Sequence, residues 1–278
     1  MSTDLALLVA ALAALLPQQR SQDARSLIER VVENQEHNQE LQRQYAFMET
    51  VTTEHLRKDG SVAKTESKTF AVTPTPAGEY RRLVAKNGRP LSPKEEAAEE
   101  KKLRKHLRKQ LRRTPAERQK AREQLKNRVG RFQTRLRQAL EVYDFAPLPD
   151  DVIDGRRLRV FQFLPRPGYR PRSRATKVLA RLEGTVWIDP GLSQIAKLHM
   201  RFRKDMKFLL GIFGRVSTGT EAVAEQRRIN DELWVLDSIS IQLRARFYFL
   251  KRYRRRITYS YTDYQRFTVE TEEKVAGR

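Results

Sequence analysis

A chain of 278 residues with 39% hydrophobic content can bury a sizeable core, as one large all-β or α+β domain or two small ones. Its 56 Lys and Arg against 34 Asp and Glu leave a net charge of +22, which points to polyanionic partners and says nothing about fold. The absence of cysteine excludes disulfides, thiol catalysis and thiolate metal sites.

In chain order, Leu5 to Leu16 (LALLVAALAALL) is an uncharged apolar run that Pro17-Gln18-Gln19 ends. It is too short to span a bilayer as a helix and matches the apolar core of a secretory signal peptide. Residues 1–20 are therefore read as a signal peptide and the mature protein as periplasmic. Met1 to Asp4 carry no basic residue, and no A-x-A site follows the run, so a short buried N-terminal helix competes with that reading. No other run approaches 18 apolar residues, so no transmembrane helix is expected.

Ser21 to Gln44 reads as a helix with a partial stripe of Leu27, Ile28, Val31, Val32 and Leu41. Strands are expected over Gln44 to Lys58, Val62 to Thr73 and Glu79 to Lys86, with turns at Asp59-Gly60 and Asn87-Gly88. The period then changes. Ser92-Pro93-Lys94-Glu95 and Thr114-Pro115-Ala116-Glu117 are capping boxes with Pro at the first helical position, opening helices over about Pro93–Arg112 and Pro115–Glu141. Leu103, Leu107 and Leu111 form a stripe on the first helix. Residues 94–141 hold 17 Lys and Arg against 7 acidic residues, a basic helical hairpin inserted at 93–141 between strands.

The β pattern resumes near Arg156. Arg157 to Leu164 is a strand and Pro165 to Ala175 a basic, Pro-rich loop. Arg181 to Phe202 reads as strand, Asp189-Pro190-Gly191 turn and strand, Gly191 being the residue free to take positive φ. Lys204 to Gly214 is an apolar excursion, a loop or short helix. A strand over Arg215 to Arg228 follows, then a turn at Asn230-Asp231-Glu232. In Leu233 to Leu250, Leu233, Val235, Ile239, Ile241, Leu243 and Phe247 alternate with Ser238, Ser240, Gln242, Arg244 and Arg246. Arg252 to Phe267 is the last strand, with Tyr253, Ile257, Tyr259 and Tyr261 in phase, and residues 268–278 are a polar tail. Hairpin after hairpin with few crossovers means an α+β chain with a mainly antiparallel sheet, long enough that it must curl.

Nothing in the sequence announces chemistry. His37, His55, His106 and His199 have no metal-ligand spacing, and no nucleophile elbow, phosphate loop or zinc motif occurs. Catalytic residues, metals and cofactors are expected to be absent. Arg244 to Arg256 (RARFYFLKRYRRR) carries seven basic residues with interleaved aromatics. Cations with exposed rings suit nucleic acid, but Phe247 and Phe249 share the phase of Ile239 and Ile241, so inward packing is favoured. The phosphates of lipid headgroups attract the same cations.

The order of these pieces, YAFMETVTTEHLRKDGSVAKTESKTFAV, RLVAKNGRPLS, VFQFLPRPGY, LEGTVWIDPGLSQIAKLHMRF and YSYTDYQRF, resembles the bacterial outer-membrane lipoprotein-sorting-like proteins of the LolA/LolB-type superfamily. The phrase G-x-x-W-I-D-x5-I-x-x-L, from Gly184 to Leu198, is the most telling part. The resemblance covers about residues 25–267, apart from the helical insert, which departs from those carriers. It implies a single domain over 21–267, built as an unclosed half β-barrel whose hydrophobic concavity holds acyl chains of lipids or lipoproteins. On that reading Leu198, Met200, Phe202, Ile239, Ile241, Leu243 and Phe247 line the concavity. Arg244, Arg246, Arg252, Arg254, Arg255 and Arg256 are expected to contact an anionic surface. The expected partners of this monomer are a lipid or acylated lipoprotein and an anionic membrane, with nucleic acid disfavoured. Two other functions compete: a basic nucleic-acid-binding protein, and an envelope scaffold that holds no ligand.

Overall fold

The computed structural model describes residues 24–34, 37–38, 40–75, 78–208, 214–230, 233–247 and 251–266, without the side chains of residues 128, 129, 132, 133, 208, 247, 251 and 252. The expected signal peptide and polar tail lie outside these residues. Residues 24–34 form helix α1, and residues 37–38 and 40–42 are helical as well. Ala24, Leu27, Ile28 and Val31, spaced three and four apart, are the buried face of α1.

The strands are β1 Tyr45–Leu56, β2 Val62–Thr75, β3 Gly78–Lys86, β4 Arg89–Pro90, β5 Tyr143–Ile153, β6 Arg156–Pro165, β7 Leu182–Asp189, β8 Gln194–Phe202, β9 Met206–Phe208, β10 Gly214–Val216, β11 Glu221–Ile229, β12 Leu233–Phe247 and β13 Lys251–Arg266. The helices after α1 are α2 Pro93–Leu111, α3 Pro115–Val142 and α4 Arg174–Leu179. All the strands belong to one unclosed sheet in the order β4-β3-β2-β1-β13-β12-β11-β8-β7-β6-β5, with β10 pairing to β12 and β9. Every pairing is antiparallel. This is the α+β, mainly antiparallel half-barrel expected of the sequence.

The two edges of the sheet are the segments that flank the helical hairpin. Chain leaves the sheet at β4, runs through α2 and α3, and re-enters at β5 on the opposite edge. Both helices begin with the expected capping boxes, Ser92 with Glu95 and Thr114 with Glu117. Leu125 of α3 lies 3.8 Å from the position a Cβ would take on Gly78, at the start of β3. Val142, at the other end of α3, is buried with Tyr143, Phe161 and Phe163. The 17 residues between Leu125 and Val142 rise about 25 Å, so α3 reaches from one edge of the open sheet to the other.

One face of the sheet carries the helices. Ala24, Leu27, Ile28 and Val31 pack on Phe161, Phe163, Val186 and Ile188, with Ala139 and Leu140 of α3 and Leu179 of α4 against the same cluster. Leu41 joins Tyr45, Leu233 and Val235, and Trp234 packs with Leu158 and Ala196.

Several expectations are corrected. Residues 143–153, which include Pro147 and Pro149, receive no element from the sequence pattern, whose β part resumes only near Arg156. They form β5, an edge strand, where proline costs no ladder bond on the open side. The end of the Pro-rich loop is helical from Arg174, because Ser173 accepts a hydrogen bond from the Thr176 N–H and caps α4. At the 189–193 turn the positive φ, 48°, belongs to Ser193. The expected strand over Arg215–Arg228 is two, β10 and β11, because the Thr218 N–H and hydroxyl both donate to Asp205 and turn the chain between them. The excursion at 204–214 holds β9, and residues 209–213 lie outside the described ones.

Candidate functional site

Cross-strand register turns the alternation of single strands into continuous rows on the helix-bearing face. Leu198 pairs with Ala224, Ala224 with Ile239, Ile239 with Tyr259 and Tyr259 with Val51. One step along, Met200 pairs with Ala222, Ala222 with Ile241, Ile241 with Ile257 and Ile257 with Thr53. Side chains of one row share one face, so these residues form a single aliphatic strip across five strands.

The strip is not uniformly covered. Leu198 and Met200 are half-buried and pack against the cluster beneath α1. Phe202, Ile239, Ile241, Leu243 and Ile257 are half-buried, and none of them belongs to the core clusters. The side chain of Phe247 lies outside the described residues. Of the expected lining set, Leu198 and Met200 of β8 therefore pack on the core, while Phe202 of β8 and Ile239, Ile241 and Leu243 of β12 lie outside it. Ala222 and Ala224 between the two larger rows keep the strip shallow.

The expected anion-contacting arginines also divide. Arg244 is in register with Arg254, so like charges stand directly opposite one another; Arg246 is in register with Arg252, whose side chain lies outside the described residues. Such pairing disfavours the sheet unless anions or solvent relieve it. Arg254 donates to the Lys58 carbonyl at 2.6 Å, and Arg256 pairs with Glu54 at 2.8 Å. Arg255 is in register with Leu243 and so shares the face of the aliphatic strip, where its guanidinium lies 5.2 Å from the Tyr253 ring centroid. Arg255 thus departs from the face that the cross-strand register gives Arg244, Arg254 and Arg256.

The helical hairpin supplies two basic grooves that the sequence did not locate. One, of about 520 Å³, runs between α2 and the β2–β3 edge, with Phe70, Leu83 and Arg81 from the strands and Lys105, His106 and Lys109 from the helix. Arg81 stacks over Phe70 at 4.3 Å and pairs with the buried Glu49 at 2.5 Å. Tyr80 packs on His106 with ring centroids 4.5 Å apart. Burial, with the Arg113 and Lys109 charges behind it, holds the His106 pKa below its ordinary value. The second groove, of about 950 Å³, opens between α2 and α3 and is lined by Arg104, Lys105, Arg108, Lys109, Arg112 and Lys120, with Glu117 as its acidic member.

His199 lies 3.5 Å from Glu221 on the polar face, as a surface histidine would. Among the described residues no His, Asp or Glu cluster could hold a metal ion, and no helix is long and apolar enough to cross a membrane.

No protein-family model and no curated protein matches the chain. Solved structures do. The chain is similar to a domain assigned as an outer membrane lipoprotein-sorting protein from Vibrio parahaemolyticus, at 10% identity and a TM-score of 0.34, over 90% of this chain and 100% of the other. It is also similar to a DUF1329 family protein from Desulfovibrio piger, at 10% identity and a TM-score of 0.30, over 90% of this chain and 94% of that one. A third likeness is to the MucA/MucB complex of Pseudomonas aeruginosa, at 11% identity and a TM-score of 0.23, over 91% of this chain and 97% of that one.

Proposed function

We propose that this chain is a non-enzymatic periplasmic protein that shelters acyl chains of a lipid or lipoprotein on the helix-bearing face of its half-barrel. The observation that carries this reading is the partly open aliphatic strip of Phe202, Ile239, Ile241, Leu243 and Ile257, beyond the reach of the core under α1. Contiguous apolar surface left half-open on an inner face favours an apolar occupant. At about 0.8 kcal/mol per buried CH₂, roughly six methylenes laid on the strip gain about 5 kcal/mol, with no acid, base or metal required. The apolar run from Leu5 to Leu16 supports export to the compartment where such cargo is found.

The test is native mass spectrometry of the full chain purified from a bacterial envelope fraction. Phospholipid or acylated peptide is expected to co-purify with it, and Ile241→Glu is expected to strip that mass. A chain that stays empty, or that keeps its lipid when Ile241 is charged, overturns the reading. N-terminal sequencing of the native protein addresses export: an intact Met1 in the cytosol removes the periplasmic part.

A further inference from the structure

The leucine stripe of α2 is open to solvent at its far end. Leu111 is 84% exposed and Leu107 is 42% exposed, and no residue of α2 is buried. Two leucines left in solvent at one end of a helix dominated by charge make an apolar spot within a cationic surface. Its neighbours define what it contacts. Arg104 and Arg108 each stand three residues before a leucine of the stripe, Leu107 and Leu111, and so share its surface. Behind them the groove between α2 and α3 adds Lys105, Lys109, Arg112 and Lys120. Residues 94–141 carry 17 basic and 7 acidic residues, so the hairpin alone accounts for +10 of the +22 net charge. The acidic residues of α2 stand at its start, where Glu95 and Glu96 lie in the first turn, whereas the exposed leucines stand at its end.

We propose that the tip of the α2–α3 hairpin is a membrane-docking arm, with Leu107 and Leu111 entering the headgroup region of an anionic bilayer while the surrounding cations hold lipid phosphates. Aliphatic side chains flanked by Lys and Arg are the pattern of helices that lie in the interface of anionic membranes. A nucleic acid would use the same cations, but it offers leucine nothing to enter and calls for exposed rings, and the α2 surface between Arg104 and Lys120 has none besides His106, which is held against Tyr80. The arm and the aliphatic strip share no residue, so the arm can hold whether or not the strip carries lipid.

Flotation of the full chain with phosphatidylglycerol–phosphatidylcholine vesicles, and with pure phosphatidylcholine vesicles, tests the arm. Binding to the anionic vesicles is expected, weakening as salt is raised. Each basic residue removed is expected to lower affinity about fivefold, so Arg108→Gln/Arg112→Gln loses about 25-fold. Leu107→Gln/Leu111→Gln is expected to lose at least about tenfold while all charges remain. Because these side chains are exposed, the variants should keep the wild-type melting temperature, and the outer-face variant Arg244→Gln/Arg254→Gln should float as wild type does. Equal binding to phosphatidylcholine, unaltered binding of the leucine variant, or loss confined to the outer-face variant overturns the proposal. So does tight duplex DNA binding that the arginine variant abolishes while the leucine variant leaves vesicle binding intact. Lipid mass retained on the protein is read separately, so failure of the arm and failure of the strip are distinguishable.

Discussion

The indole N–H of Trp234 donates to Asp189 Oδ2 at 3.1 Å, in the interior of the protein, 45 residues from the turn that Asp189 opens. The other carboxylate oxygen of Asp189 accepts the Gly191 and Leu192 amides at 2.9 and 3.2 Å. The Trp234 amide in turn donates to Gln194, whose side-chain amide reaches Asn38 of the N-terminal helical segment. One carboxylate thus closes the β7–β8 turn and ties it to β12.

Asp189→Ala is expected to leave three donors without their acceptor, two of them amides of a tight turn. At about 1–3 kcal/mol for each buried group left unsatisfied, the loss should reach about 3 kcal/mol or more. Urea unfolding followed by tryptophan fluorescence measures it. A loss below about 1 kcal/mol would mean that water replaces the carboxylate.

Gly184 has no room for a side chain. A Cβ there would lie 2.7 Å from the Phe163 ring and closer still to the His199 carbonyl oxygen of the paired strand. Gly184→Ala must push β7 off β8 or displace Phe163 from the core, at a cost of about 3 kcal/mol in the same unfolding experiment. Gly130, in the middle of α3, meets nothing within 4 Å. Gly130→Ala is expected to be neutral or slightly stabilising through helix propensity.

Alkaline pH should loosen the sheet. Burial, with Glu49 and Tyr259 adding to it, pushes the Tyr261 hydroxyl up to about 12, and burial raises Tyr143 and Tyr264 further. Tyr143 donates to the Leu179 carbonyl and Tyr264 to that of Leu236, bonds that require the protonated form. A pKa higher in the folded state contributes stability that is full below the unfolded value of about 10 and is lost as pH rises through the folded value. Melting temperature is expected to be flat to about pH 10 and to fall between about pH 10 and 12. The tyrosinate absorbance of these three residues should appear only with unfolding.

Acid should loosen the start of α2. The Lys86 ammonium bonded to Glu95, with the Ser92 amide and hydroxyl, holds the Glu95 carboxyl down to about 2 from an ordinary 4.5. A depressed carboxyl contributes stability above its unfolded pKa and loses it as pH falls through the folded one. Amide exchange in the first turn of α2 should therefore quicken between pH 4.5 and about pH 2. In Glu95→Gln that acid-dependent step is expected to be missing. If the variant keeps it, another group controls the α2 start.

What was legible in the sequence is what depends on near neighbours. The Ser92–Glu95 and Thr114–Glu117 boxes, the Asp59-Gly60 and Asn87-Gly88 turns and the alternation in β12 are set by contacts a few residues apart. They appear where the pattern places them. The candidate lining was legible as a face, since parity along a strand fixes which residues share one. Whether that face is covered was not legible. Leu198 and Ile241 have the same pattern in sequence and both are half-buried, yet Leu198 packs against the cluster beneath α1 and Ile241 does not. β5 was hidden because prolines are tolerated only on an edge strand, and edge position is a property of the finished sheet.

The chain by itself determined the elements, their faces and the excess of positive charge, because propensity, period and composition are local or additive. Only the tertiary structure decided that β4 and β5 are opposite edges, that α3 therefore bridges the open side, and that Leu107 and Leu111 are left facing solvent. Those outcomes depend on pairings between residues far apart in sequence. Their chain entropy is repaid only when the whole sheet forms, and no short stretch of sequence encodes that.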